Sequence, residues 1–140
     1  DAFQQAEEAS GGGPGNPQKV VVDQTQITVL TSLGRAWVHG LKGEAAAAQS
    51  LFDEVIQTAP DFPEAYMRRG EFYRSLRRYP EAAADYGTAR KLAPGNPSLL
   101  AGRGRVYAES GNAEAARQDF KASCARGWKE GCAGLKGLGP

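Results

Sequence analysis

The stretch from Pro63 to Asn96, PEAYMRRGEFYRSLRRYPEAAADYGTARKLAPGN, reads as two amphipathic helices joined by a tight bend. Gly70, Ala82 and Ala89 are small residues where the two helices must approach closely, and Tyr66, Tyr73 and Tyr86 supply the bulk beside them. Large facing small is how helices interdigitate at short separation. Asp61 is placed to cap the first helix, with Pro63 in its first turn and Glu64 at capping-box distance. Pro80 suits the opening turn of the second helix, and Ala93-Pro94-Gly95 stops it.

Related patterns flank this one on a period of about 34 residues. Upstream, Val29 to Phe62 keeps Ala48, Phe52 and Pro60, but has Ala36 in place of the glycine and His39 in place of the tyrosine. Its first helix is expected to begin near Thr25, and Gly43-Glu44 marks its bend. Downstream, Pro97 to Glu130 keeps Leu100, Gly104, Tyr107, Ala116 and Phe120, with Ser123 and Trp128 as departures. Asn96 and Asn112 are fitting helix caps there, the second just after the bend at Gly111. The recurring order (large residue, Gly, Tyr, Ala, aromatic, closing Pro) resembles the tetratricopeptide repeat. That resemblance implies an all-α superhelix, a solenoid of three helix pairs over residues 29–62, 63–96 and 97–130. A short helix over about 129–138 would cap the last apolar face.

The repeat domain is expected over residues 23–140, preceded by a flexible arm over 1–22. The Gly/Pro cluster from Ser10 to Pro17 reads as a linker, and the β-branched run Val20-Val21-Val22 as an extended arm against the first helix pair. With 140 residues the chain has room for one core, and a formal charge of +1 gives no argument for nucleic acid. No apolar run is long enough to span a membrane. No leader is read at Asp1, although a trimmed start would leave the same trace.

Arginine recurs at one register position as Arg35, Arg69 and Arg103, and Asp85 and Asp119 stand on the second helices of the later units. Ion pairs Arg69–Asp85 and Arg103–Asp119 are therefore expected to bridge the helices, while Arg35 faces Leu51. Cys124 and Cys132 lie too far apart to meet on one continuous helix, but a bend at Gly127-Trp128 would bring them together. The spacing is similar to that of Sel1-like, cysteine-rich relatives of the repeat, which implies a disulfide stapling adjacent helices. Two free buried thiols are the alternative. A disulfide would in turn imply an oxidising compartment, here the periplasm of a bacterial envelope or another exported location, and free thiols a cytoplasmic one.

The sequence offers no enzyme and no cofactor site. Two cysteines and His39 lack the ligand number of a zinc centre, and His39 reads as a packed structural residue. No nucleotide-binding loop or nucleophile elbow is present. The resemblance instead implies a groove lined by the first helices of successive repeats. Carried onto this chain, that groove draws on Leu30, Leu33 and Trp37, then Met67, Glu71 and Arg74, then Ala101 and Arg105. Its first part is apolar and its later part charged. The residues with which some members clamp an acidic peptide tail are replaced here by Leu33, Trp37, Arg68, Ser98 and Gly102. The expected activity is non-enzymatic binding of a protein or peptide, as an adaptor or assembly factor of a bacterial envelope system. The rival readings are a structural or self-associating domain whose own arm covers the groove, and a regulatory domain of a larger protein.

Overall fold

The computed structural model of the chain describes residues 23–140, and over that range the fold is all helical. Seven helices follow one another: α1 (Gln24–Leu41), α2 (Ala45–Thr58), α3 (Pro63–Ser75), α4 (Tyr79–Leu92), α5 (Pro97–Glu109), α6 (Ala113–Ala125) and α7 (Lys129–Gly137). They form three antiparallel pairs and a capping helix, and α7 packs against both α5 and α6. The expectations for the linker at Ser10–Pro17 and the arm at Val20–Val22 lie outside the described residues.

The helix starts follow local chemistry. Asn96 and Asn112 accept hydrogen bonds from the amides of Ser98 and Ala115, satisfying donors that the first turn leaves unpaired. Asp61 does not do the same for α3. The cap position there is Phe62, with no side-chain hydrogen bond, because Pro63 already occupies the first helical position and leaves Asp61 one residue too early. The bends repeat with the same period. Gly43 and Gly111 take φ values of 79° and 88°, and Arg77, their counterpart, takes 59°. A left-handed residue closes each hairpin, and Arg77 is the one described non-glycine that accepts that conformation.

The core runs as a continuous seam between the pairs. Ala36, Ala48, Phe52, Ala65, Ala82, Ala89, Val106 and Ala116 are all fully buried, so alanines sit at the crossings and larger side chains fill between them. Tyr86 and Phe120 are packed in matching ways. A Cβ on Gly70 or Gly102 would strike the Tyr86 ring, and one on Gly104 or Gly134 would strike Phe120. Each aromatic is thus received by glycine-lined stretches of two neighbouring helices. Ser123, where the repeat pattern expects alanine, is fully buried and donates its hydroxyl to the Pro97 carbonyl at 2.8 Å.

Candidate functional site

The first helices of the pairs, α1, α3 and α5, lie side by side and make one face of the array. Trp37 stands in that face between two hollows. One, of about 240 Å³, is bordered by Leu30, Leu33, Gly34, Glu64 and Arg68. The other, of about 250 Å³, is bordered by Gly40, Leu41, Glu71, Arg74 and Ser75, and reaches down to the buried rings of Phe52 and Phe72. The Arg68 guanidinium lies 5.3 Å from the Trp37 ring centroid, a cation–π contact that steadies both side chains.

The expected groove residues divide into four groups. Leu30 is 51% exposed and Trp37 half-buried, so both present surface. Leu33 and Ala101 are each only 4% exposed, so neither offers much surface of its own. Leu33 nevertheless forms the floor of the first hollow. Met67 lines a smaller hollow of about 130 Å³ between α3 and α5, beside Phe62 and Leu99.

Glu71, Arg74 and Arg105 are brought together, with Glu109 added. Arg74 donates to both oxygens of Glu71 and, at 2.8 Å, to Glu109. Arg105 approaches Glu71 at 3.9 Å, and the Tyr86 hydroxyl donates to it at 2.9 Å. Burial alone would raise the Glu71 carboxyl, but the Arg74 hydrogen bond and charge, with help from Tyr86 and Arg105, hold it below the ordinary carboxylate value. Burial and the adjacent Glu71 charge push the Tyr86 phenol well up. Arg74 is therefore an internally satisfied cation.

On the side away from the groove, Arg69 donates twice to Asp85, each time at 2.8 Å, and once to Asp53 at 3.0 Å. Arg103 makes the same two bonds to Asp119. These arginines hold helices together. Arg35 is exposed and has no ion pair among the described residues. His39 contacts Glu44 across the first bend. Cys124 and Cys132 are juxtaposed by the bend at Gly127, with Cα atoms 4.5 Å apart and the sulfurs at bonding distance. Sequence reasoning missed the floor residues Phe52 and Phe72 and the Gly34 wall. The scarcity of charge on α1, whose one Lys, Arg, Asp or Glu is Arg35, is the signal that marks that region.

A sequence profile described as tetratricopeptide repeat matches residues 33–97 and again 73–130. The chain belongs to the tetratricopeptide repeat family. No curated protein sequence matches it significantly. Among solved structures, this repeat domain resembles the first tetratricopeptide repeat domain of Spaghetti (RPAP3) bound to the HSP90 peptide SRMEEVD. The TM-score is 0.73 at 17% identity, over 85% of this chain and 94% of that one. It resembles PcrH in complex with the chaperone binding region of PopD equally well, with a TM-score of 0.73 at 14% identity over 85% and 96% of the two chains. A mutant O-GlcNAc transferase of Thermobaculum terrenum contains a similar region: TM-score 0.72 at 23% identity, over 84% of this chain but 23% of the transferase. At these identities the likeness is one of fold. No helix among the described residues is long and apolar enough to cross a membrane.

Proposed function

We propose that this tetratricopeptide repeat chain is a non-enzymatic interaction module that holds a peptide or partner segment on the α1–α3–α5 face. The observation that carries the reading is Trp37, a half-buried aromatic standing between two apolar-floored hollows. Interface energy concentrates in such anchors, and aromatic residues at the centre of a pocketed face are the commonest of them. The peptide-bound states of the Spaghetti domain and of PcrH support the reading, as fold relatives that hold a partner. An adaptor or assembly role in a bacterial envelope is the further part of the proposal, supported by the Cys124–Cys132 pair alone. Intact mass of the native protein with and without alkylation tests that part, since two freely alkylated thiols would move the chain to a reducing compartment.

The groove is tested by affinity capture with wild type and Trp37→Ala. The expected result is a partner lost with the variant, whose isolated segment then binds wild type in solution and changes tryptophan emission. Equal recovery of every partner by both forms would remove the reading.

Self-association is the second reading, favoured by the outward side of α1. Ile27, Val38 and Leu41 are all exposed there, the last at 73%, with no helix among the described residues packed over them. Sedimentation across a range of concentrations separates the two, because a stable dimer broken by Leu41→Glu supports self-association and a monomer throughout removes it.

A further inference from the structure

Every charged side chain that borders the two hollows beside Trp37 is already engaged within the chain. In the first hollow, Glu64 and Arg68 pair at 3.3 Å. In the second, Glu71 and Arg74 pair with each other, and Arg74 is held from its far side by Glu109. The rims thus carry two carboxylates and two guanidinium groups, and their charges cancel. An incoming carboxylate would have to displace Glu64 from Arg68 or compete with two carboxylates for Arg74. Arg74 is 21% exposed and stripping Glu71 of it is costly, while the Glu64–Arg68 pair, about 40% exposed, is worth little to either occupant, so a charged ligand gains little here. The floors offer the opposite invitation: Leu33 under one hollow, Phe52 and Phe72 under the other, none of them with a polar atom.

The spacing is set by α1. The first hollow centres on Leu30 to Gly34 and the second on Gly40 and Leu41, a shift of about 12 Å along the helix axis. An extended chain covers about 13 Å in four residues, and side chains four apart point to the same side.

The geometry points to an uncharged, apolar segment in extended conformation, with two large side chains about four residues apart, one on each side of Trp37. This rests on the groove reading above and adds the chemistry of its ligand.

The experiment uses fluorescence anisotropy with labelled peptides and the whole chain. The probe is a short Ser/Gln peptide carrying Leu and Phe four positions apart. Comparators are the same peptide with both replaced by Ser, and the acidic peptide SRMEEVD. Each is titrated at about 50 mM and about 500 mM sodium chloride. Two variants block the site by different routes. Trp37→Ala removes the ridge, and Gly34→Gln fills the first hollow from a position where an added Cβ meets nothing within 4 Å, so its fold is kept. The expected result is a Leu/Phe peptide bound about tenfold or more tighter than either comparator, changing less than about twofold with salt, and weakened about tenfold or more by both variants. Tighter binding of SRMEEVD with a steep loss in salt, still weakened by both variants, overturns the uncharged-ligand inference while sparing the groove. Absence of binding by all three peptides, or binding indifferent to both variants, overturns both.

Discussion

The Tyr86 hydroxyl donates to Glu71 at 2.9 Å, although the two residues sit on different helices and the tyrosine ring is almost wholly buried. The ring passes between α3 and α5 through space that only glycine leaves free, and its polar end emerges at the ion cluster of the groove. The packing of two repeats against each other and the electrostatics of the groove therefore share one side chain.

The closeness of that fit predicts opposite outcomes for one substitution at two sites. A Cβ on Gly102 would lie 2.3 Å from the Tyr86 ring, which is held on its other side by α3 and cannot swing away. Gly102→Ala should cost about 2–3 kcal/mol. At Gly34 the added methyl meets nothing, and Gly34→Ala should stabilise by about 1 kcal/mol through helix propensity. Urea midpoints of the two variants check this, and a stable Gly102→Ala would mean that Tyr86 is not locked in place.

The buried arginine–aspartate pairs predict an asymmetry along the array. Asp85 is buried, and burial pushes its carboxyl up even though two hydrogen bonds from Arg69 work in the other direction. Hydrogen bonding to Asp85 strengthens the hold of Arg69 on its proton, against the opposing effect of its own burial. Arg69→Met strands the aspartate and should cost about 3 kcal/mol, while adding Asp85→Leu should recover most of that loss. Arg35→Met removes an exposed side chain and should change stability by about 0.5 kcal/mol or less. Thermal melts of the four proteins measure these differences. Equal losses at Arg35 and Arg69 would contradict the assignment.

The helix pairs were legible because their landmarks recur: Gly70 and Gly104, Tyr73 and Tyr107, and Ala48, Ala82 and Ala116 keep one period, and each position carries its own steric requirement. The groove was less legible. Leu33 and Ala101 share register positions with Met67, yet they are buried and Met67 is only partly so, because how deeply a position sits depends on the sizes of residues on neighbouring helices. The Arg74 contact to Glu109 joins residues from different repeats, and no local spacing announces it. Asp61 reads as a cap by residue type, but Pro63 takes the first helical position and makes the neighbouring Phe62 the cap residue.

Repetition also exposes an omission. Asp53 on α2 reaches forward to Arg69, and its counterpart one period later is Gly87, where an added Cβ would lie 3.9 Å from an Arg103 guanidinium nitrogen. Gly87→Asp should restore the missing bridge to the third repeat. Compared with Gly87→Asn, which has similar helix propensity, it should be more stable by up to about 1 kcal/mol at low salt. High salt should shrink the difference. A paired denaturation series at two ionic strengths reads it directly, and an aspartate variant no better than the asparagine one would show that Arg103 cannot turn from Asp119.

Glu71 gives the fold a pH dependence of defined sign. Its folded-state pKa is held down, chiefly because Arg74, Tyr86 and Arg105 outweigh the effect of burial. A depressed carboxylate contributes stability that is fully present above its unfolded pKa, about 4.3, and is lost as the pH falls through the lower folded value. Glu71→Gln keeps an acceptor for Tyr86 but forfeits the charge facing Arg74 and Arg105. The variant should be less stable than wild type by about 1 kcal/mol at pH 7, and the gap should close in acid once the wild-type carboxyl is protonated. Urea unfolding of both proteins from pH 7 downward tests this. A gap that persists unchanged into strong acid would mean that Glu71 acts through its shape alone, and that its charge does not hold the two repeats together.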